Sequence, residues 1–314
     1  MIARLAVLAA LVVAAAGCGG DDPAPSSSPP AADSTPTPNP TVAGEESTPA
    51  EQGSGANAFI GSIAVDPKDG TLMLGTGLGL FRVAKGEKDA ERVVGELRTS
   101  DGSGPVSSNL VVRYPRPGEL LASGHPEGEA SLPENLGLIL SRDAGKTWEP
   151  VVDLGQADFH IVQATGKRLA VVAAEETEIR VSADGGSTFE MRTPPAMPVD
   201  VAFDPKDPAR MVIATEQGIF NSSDEGRSWR PRDAIPASQL AWAAPDALYR
   251  GDPGGLIKVS TDGGATWKDR GNVGLSINEL AVDDGGALYA SVPGGEVQRS
   301  TDGGASWARL VKLK

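Results

Sequence analysis

Short apolar runs recur along residues 58–314, and glycine, proline or acidic residues separate them. Within residues 198–229 four runs follow one another: PVDVAFDP, ARMVIAT, GIFNSS and a segment that opens at Ser228-Trp229. Turn signals at intervals of about 8–12 residues are typical of short strands and argue against helical repeats. The pattern predicts an all-β domain built from units of four strands.

One eight-residue pattern, Ser-x-Asp-x-Gly-x-Ser/Thr-aromatic, occurs five times with a period of about 40 residues. The copies read SRDAGKTW, SADGGSTF, SSDEGRSW, STDGGATW and STDGGASW, and their aspartates are Asp143, Asp184, Asp224, Asp262 and Asp302. Residues 58–95 have the same order of strands without this pattern. Six four-stranded units predict a six-bladed β-propeller.

The repeated aspartates are predicted to be structural. Each copy falls between the third and fourth strands of its unit, where a short carboxylate accepts hydrogen bonds from turn amides. A glycine such as Gly264 provides the positive φ that a tight hairpin needs. A catalytic group is needed once, whereas a turn that stabilises every unit is repeated.

The first 17 residues have the features of a bacterial lipoprotein signal peptide. Arg4 provides a positive start, and the apolar run from Leu5 to Ala16 is short for a membrane span. Small residues directly precede Cys18, so the segment predicts lipidation of Cys18 and anchoring to the membrane outside the cytoplasm. The alternatives are an ordinary signal peptide followed by an incidental cysteine, and a retained helix, for which the run lacks length.

Residues 18–57 differ in composition from the rest of the chain. They contain six acidic residues, no lysine or arginine and almost no large apolar side chain. Such a segment cannot bury enough apolar surface to offset the entropy that ordering would cost. We therefore predict a disordered tether, rich in proline, serine and threonine, that separates a domain of residues 58–314 from the membrane.

Charge and cysteine content exclude several classes of protein. The 314-residue chain has a formal net charge of −14, and nucleic-acid binding needs a basic surface, so we predict no nucleic-acid partner. One cysteine allows no intramolecular disulfide. We expect a monomer whose only membrane contact is the N-terminal lipid.

Departures from the repeat predict where a ligand binds. In a propeller blade the first-to-second and third-to-fourth strand turns share one face, so the repeated aspartates occupy that face. Two long connections, residues 97–108 and 124–135, lie on the opposite face. The only two histidines, His125 and His160, fall on this face beside Asp158, and Glu127 is in the same insertion as His125.

Two chemical interpretations of this cluster stay open. Two imidazoles with nearby carboxylates are suited to bind a divalent metal or to act as acid and base, with His125 and His160 as the metal candidates. Alternatively, the histidines form a polar pair that shapes the loop, and the glutamates are solvated. No other cofactor is predicted.

The repeats resemble the Asp-boxes of the sialidase, or BNR-repeat, superfamily of β-propellers, over about residues 58–314. The segments LASGHP (121–126), NLGLILSRDAGKTW (135–148) and ADFH (157–160) look closest to actinobacterial lipoproteins that are labelled sialidase-like or glycosyl hydrolase. Members of that group carry further histidines in the first unit, where this chain reads FIGSIAV and GTGLGLF. The resemblance implies a β-propeller fold. It also implies that this chain lacks part of the histidine cluster that the group carries.

The resemblance does not reach the catalytic residues of sialidases. The Arg-Ile-Pro segment near the start of sialidase domains is absent, and the chain has no P-loop, GxSxG segment or cysteine nucleophile. We therefore expect a non-catalytic binding or scaffold module for a protein or a cell-envelope glycan. The alternative is a sialidase-like glycoside hydrolase that uses Asp158, Glu127 and His160.

Overall fold

The structure, a computed structural model, describes residues 59–100, 102–126, 131–174, 176–235 and 239–313. The predicted signal peptide, Cys18 and the tether lie outside these residues, as does Glu127. Every regular element that the structure describes is a β-strand. None of the described residues belongs to a helix with the length and apolar character that crossing a membrane requires.

Five sheets each contain four consecutive antiparallel strands in sequence order. Sheet 1 has β1 (Ile60–Val65), β2 (Leu72–Thr76), β3 (Gly79–Val83) and β4 (Glu91–Val93). Sheet 3 has β10 (Phe159–Thr165), β11 (Arg168–Ala173), β12 (Ile179–Ser182) and β13 (Glu190–Arg192). Sheet 4 has β14 (Pro198–Phe203), β15 (Met211–Thr215), β16 (Gly218–Ser222) and β17 (Arg230–Asp233). Sheet 5 has β18 (Gln239–Ala244), β19 (Ala247–Gly251), β20 (Leu256–Ser260) and β21 (Lys268–Asn272). Sheet 6 has β22 (Glu279–Val282), β23 (Leu288–Val292), β24 (Glu296–Ser300) and β25 (Ala308–Lys312).

Sheet 2 is different because it is closed. It has β5 (Gly95–Arg98), β6 (Ser103–Arg116), β7 (Glu119–Pro126), β8 (Leu138–Ser141) and β9 (Thr147–Val152). Strands β6 to β9 form an antiparallel meander, and β5 pairs with β6 on one side and runs parallel to β9 on the other. Residues 97–108, predicted as a long connection, therefore belong largely to a hairpin. Leu97 and Val106 are buried in this hairpin, and burial of their side chains favours strand pairing over an open loop.

The sheets are arranged in a ring. The first strands of the sheets contact one another in the order β1, β6, β10, β14, β18 and β22, and β22 contacts β1 again. Six hydrophobic clusters fill the spaces between neighbouring sheets, and one of them joins sheet 6 to sheet 1. The prediction of an all-β propeller is confirmed. The count of six blades stays a prediction, because five sheets are open four-stranded blades and sheet 2 is closed.

Ring closure relies on packing. Each of sheets 1 and 6 is made from one continuous segment of chain, so the two sheets exchange no strand. Tyr289 and Val297 of sheet 6 pack in one cluster with Ile63 and Leu74 of sheet 1. The Ser291 hydroxyl also donates a buried hydrogen bond of 2.9 Å to the Ile60 carbonyl. Apolar burial therefore holds the first and last sheets together.

The five repeated turns share one pattern of hydrogen bonds, as the turn of Ser260 to Trp267 shows. The Ser260 hydroxyl donates to Asp262 Oδ1 over 2.7 Å and accepts from the Gly264 amide over 2.7 Å. The Thr266 amide donates to Asp262 Oδ1 over 2.8 Å, and its hydroxyl donates to Oδ2 over 2.7 Å. One carboxylate thus ties both ends of the turn together.

Two successive residues of each turn have positive φ. Gly263 and Gly264 have φ values of 68° and 85°, a region that glycine enters without a steric penalty. Two copies place another residue at the first of these positions, Ala144 with a φ of 59° and Glu225 with a φ of 60°. The second position is always glycine, as the five copies of the repeat require.

The Asp262→Ala variant is expected to unfold with a free energy about 1–2 kcal/mol below that of the wild type, because three hydrogen bonds to the carboxylate are lost. Partial burial opposes ionisation of Asp262, but hydrogen bonds from Thr266 and Ser260 lower its pKa to about 2. The stability that the carboxylate provides is therefore present above about pH 4 and disappears as the pH falls through 2.

Urea unfolding of the wild type and of Asp262→Ala at neutral pH and at about pH 2.5 measures this difference. Asp246→Ala is the control, because Asp246 is an exposed acid in the first turn of the same sheet. Equal unfolding free energies for Asp262→Ala and the control would show that the turn carboxylate does not stabilise the sheet.

Candidate functional site

The ring has two distinguishable faces. A cavity of about 320 Å³ is lined by the carboxyl ends of all six first strands and by the turns that follow them, including Pro67, Pro117 and Pro205. The first strands therefore run in the same direction. We call this end the carboxyl face, and it also carries the five repeated turns. The opposite end, called the amino face, carries the second-to-third strand connections and the links between sheets.

His125, Asp158 and His160 meet on the amino face. His160 Nε2 lies 2.8 Å from Asp158 Oδ2, and His125 Nε2 lies 3.3 Å from the same oxygen. His125 ends β7 of sheet 2, whereas Asp158 and His160 flank the start of β10 of sheet 3. The cluster thus connects two neighbouring sheets. Its side chains are accessible, with 34% of His125 and 63% of His160 exposed.

Local backbone geometry explains the exposure of His160. The pairing of β10 with β11 changes register between Phe159 and Ile161, so His160 is the extra residue of a β-bulge. A bulge redirects the side chain of the residue that it inserts. Phe159 is fully buried beside it, and its amide donates to the Ser123 hydroxyl over 2.9 Å. Phe159 packs its side chain into the core, and the inserted His160 directs its side chain outward.

Two contacts fix the ring orientation of His125. Its Nδ1 lies 2.9 Å from the Glu134 carbonyl oxygen, and its Nε2 faces the Asp158 carboxylate. Because a carbonyl oxygen is an acceptor, the tautomer with its proton on Nδ1 donates to it. His160 uses one nitrogen for Asp158, and this arrangement orients the ring as in an acid–base dyad.

The residues present do not form a metal site. Among the described residues no group of three His, Cys, Asp or Glu side chains is arranged to hold a metal ion. Both imidazoles direct Nε2 at one oxygen of Asp158 and not at a common point between the three side chains. Glu127, the fourth candidate, lies outside the described residues.

A polar network crosses the centre of the ring, and the sequence interpretation missed it. Arg113 of β6 donates to Glu279 of β22 over 2.5 Å and to the Ser62 hydroxyl of β1 over 3.0 Å. Its Nε donates to Gln163 of β10 over 3.4 Å. Gln163 in turn donates to Asp200 of β14 over 3.1 Å.

The fifth sheet completes this network through its backbone. The Leu240 amide of β18 donates to Asp200 Oδ2 over 2.8 Å. Every first strand therefore provides one group to the network. The signal in the sequence was the presence of charged residues, Arg113, Asp200 and Glu279, inside otherwise apolar first strands.

Burial shifts the titration of the two acids. Burial raises the pKa of Glu279 to about 7, although the positive charge of Arg113 acts in the opposite direction. Burial also raises the pKa of Asp200. Glu279 pairs with the Arg113 guanidinium, whereas Asp200 is held by the Gln163 amide and by backbone amides, so full ionisation leaves a buried negative charge without a paired cation.

The carboxyl face has a central cavity. This face lies opposite the one that the sequence predicts to bind a ligand, yet the cavity of about 320 Å³ opens there above the Arg113 network. Small side chains create this space: Ala64, Ala202, Ala241 and Ala281 occupy the inward positions that Arg113 and Gln163 occupy in sheets 2 and 3.

No protein-family model matches the chain, and no curated protein matches it in sequence. Solved structures do match. YCF48 bound to D1 peptide is 20% identical with a TM-score of 0.44, over 70% of this chain and 71% of that chain. An ancestral GH74 enzyme is 11% identical with a TM-score of 0.54, over 83% of this chain and 39% of that chain. The WD40 β-propeller domain of Doa1 is 11% identical with a TM-score of 0.54, over 82% of this chain and 83% of that chain.

The chain has the β-propeller fold. Its structural neighbours include both a glycoside hydrolase and a WD40 propeller, and at these identities the similarity shows the fold alone. The chain spans well under half the length of the GH74 enzyme.

The unfolding free energy of the wild type is expected to fall as the pH rises from about 5 to 8. The raised pKa of Glu279 means that its protonated form stabilises the fold below about pH 4.5, and this contribution disappears as the pH rises through 7. In Glu279→Gln the fall should be smaller, by on the order of 2 kcal/mol. Chemical unfolding at each pH measures both curves.

Glu87→Gln removes an exposed carboxyl from the connection between β3 and β4 and is the matched control. Its stability should depend on pH as that of the wild type does. Identical pH dependence in Glu279→Gln and in the wild type would contradict the assignment of this titration to Glu279.

Proposed function

We propose that the chain is a surface-anchored, non-catalytic module that binds a protein or a cell-envelope glycan through its amino face. The observation that carries this proposal is the distribution of exposed apolar side chains. Six large apolar residues are exposed among the described residues, and four of them, Phe59, Leu78, Ile235 and Leu275, lie in connections or strand starts on the amino face.

Exposed apolar side chains concentrated on one face are typical of interaction surfaces. Phe59 is 62% exposed at the start of β1, and Leu275 is 46% exposed in the link between sheets 5 and 6. This chemistry favours a protein partner over a glycan, because aliphatic side chains contribute to the core of protein interfaces. The His125, Asp158 and His160 cluster adds directional hydrogen bonds on the same face.

The alternative function, glycoside hydrolysis, has one observation in its favour. Asp158 orients His160, and the latter is accessible, as an acid–base pair requires. Glycoside hydrolysis generally needs two carboxyl groups on opposite sides of the bond that is cleaved. Asp158 already interacts with both imidazoles, so it is poorly suited to be one of the two.

We also propose that sheet 2 is a sixth blade and that the repeated turns are Asp-boxes of the sialidase-like kind. Strand β6 occupies the ring position between β1 and β10, as a first strand of a blade does. The turn of Asp143, which joins β8 to β9, has the hydrogen bonds of the other four turns. The additional strand β5 is then an insertion on an ordinary blade.

The membrane anchor is part of the proposal. Lipidation of Cys18 and a tether over residues 18–57 would present the propeller outside the cytoplasm, at a bacterial cell membrane. The composition of the segment supports this arrangement, and the lone cysteine lies where lipidation requires it.

Capture experiments with the lipid-free full-length chain test the binding proposal. Wild-type protein is immobilised and exposed to solubilised envelope proteins and to a panel of envelope glycans, and both retained ligands and released products are identified. We expect a retained protein, unchanged by the contact, whose affinity falls at least about tenfold in Phe59→Ser/Leu275→Ser, as truncation of buried interface side chains predicts.

Met191→Ser is the matched control, because Met191 is 54% exposed but lies in β13, the outer strand of sheet 3. Its affinity should equal that of the wild type. Product release from a glycan that is lost in Asp158→Ala and in His160→Ala would replace the binding function with hydrolysis.

The Cys18→Ser variant tests the anchor separately. Expression in a bacterial host with a radiolabelled fatty acid should label the wild type and leave Cys18→Ser unlabelled. The variant should also move from the membrane fraction to the soluble fraction, because one lipid anchor is lost. Membrane retention of an unlabelled Cys18→Ser chain would instead support a retained helix.

A further inference from the structure

A groove on the carboxyl face between sheets 4 and 5 concentrates arginine side chains. Its volume is about 210 Å³, and its lining includes Arg210, Arg230, Arg232, Asn221, Trp242 and Asp262. We propose that this groove binds an oxyanion, the phosphate or carboxylate group of a ligand. The site is separate from the amino face and does not depend on the function proposed above.

The charge of the groove is opposite to that of the chain. Three guanidinium groups face one carboxylate here, whereas the chain as a whole carries a net charge of −14. The carboxylate, Asp262, already accepts three hydrogen bonds within its own turn. A second carboxylate, Asp204, pairs with Arg210, so the positive surplus belongs to Arg230 and Arg232.

Arg210 is fixed in place by the protein. Its Nη1 donates to the buried Asp204 over 2.7 Å, and its guanidinium carbon lies 5.7 Å from the centre of the Trp242 ring. These contacts orient the guanidinium plane and reduce the entropy that a bound anion would otherwise cost. Arg210 therefore forms one preorganised wall of the groove.

Arg230 and Arg232 have no hydrogen-bond or ion-pair partner among the residues that the structure describes, and both are exposed. Sheet 5 provides a contrast for Arg232. Arg270, in the bulged last strand of sheet 5, donates to the carbonyls of Asp302 and Gly303 over 2.6 and 3.1 Å. In sheet 4, Arg232 occupies the matching bulge.

The equivalent carbonyl in this groove has a different donor. The Gly263 carbonyl, equivalent to that of Gly303, accepts from Asn221 Nδ2 over 3.4 Å. Arg210 Nη2 lies on the side of Gly263 where a Cβ would project, only 2.3 Å from that position. Among the described residues Arg232 makes no hydrogen bond equivalent to those of Arg270, so its guanidinium stays available to a ligand.

The ligand class follows from these donors. Paired guanidinium forks match the geometry of carboxylate and phosphate groups and form short charge-assisted hydrogen bonds with them. The indole of Trp242 is 8% exposed, and its Nε1 donor has no partner among the described residues. The volume of the groove suits a single oxyanion group and leaves the rest of a ligand outside.

Calorimetric titration of the full-length chain with inorganic phosphate and with galacturonate tests the site. At low ionic strength the wild type should bind at least one of them about tenfold more tightly than Arg230→Gln/Arg232→Gln does. Arg230→Lys/Arg232→Lys should bind with intermediate affinity, since it keeps the charge but loses the forks. Tighter binding of phosphate assigns a phosphoryl ligand, and tighter binding of galacturonate assigns a carboxylate.

Arg309→Gln/Lys312→Gln is the control, because it removes two exposed basic residues from β25, the last strand of sheet 6. Its affinity should stay within about twofold of the wild-type affinity if the groove, and not the net charge, holds the anion. The proposal is overturned if neither anion binds the wild type, or if Arg230→Gln/Arg232→Gln binds as tightly as the wild type.

Discussion

One partly buried arginine at the centre of the ring links the first strands to one another. Arg113 connects its own strand to sheets 1, 3 and 6 directly and reaches sheet 4 through Gln163. A buried ion pair such as that of Arg113 and Glu279 contributes modest net stability, but removal of one partner leaves a desolvated charge and costs about 3–5 kcal/mol. The network therefore selects one arrangement of the first strands, whereas apolar packing between neighbouring sheets provides most of the free energy.

The groups that stabilise the fold lie in different regions from the side chains that are available for binding. The centre of the ring is occupied by the Arg113 network, and the repeated turns use their aspartates to stabilise each blade. A substitution in either set of groups changes the stability of the fold. Side chains with unused binding capacity lie elsewhere: the apolar residues and the His125 cluster on the amino face, and Arg230 and Arg232 in the groove between sheets 4 and 5.

The fold was largely predictable from the sequence, because a period of about 40 residues and turn signals define strands whose pairing is local. The proximity of His125, Asp158 and His160 was also predictable, since strand order alone brings the end of β7 beside the start of β10. The Arg113 network was not, because its partners are separated by up to 166 residues and meet only when the ring closes. The hairpin of β5 was missed since its stability comes from tertiary burial of Leu97 and not from a local pattern.

The arginine groove shows a further limit of reasoning from repeats. Arg232 and Arg270 occupy equivalent bulges, yet Arg270 donates to the carbonyls of the next turn, whereas the equivalent Gly263 carbonyl accepts from Asn221. A difference of this kind depends on neighbours from two sheets. It becomes visible only when the outer strands are placed against the next turn.

The central claim is that the amino face binds the partner while the five repeated turns of the carboxyl face maintain the fold. Hydrogen–deuterium exchange of the full-length chain, with and without its captured partner, tests it most directly because exchange is resolved along the sequence. The account predicts slower exchange in the amino-face connections around Leu78, His125, His160 and Leu275, with the five repeated turns unchanged. Slower exchange confined to the repeated turns and to the rim of the central cavity would contradict it.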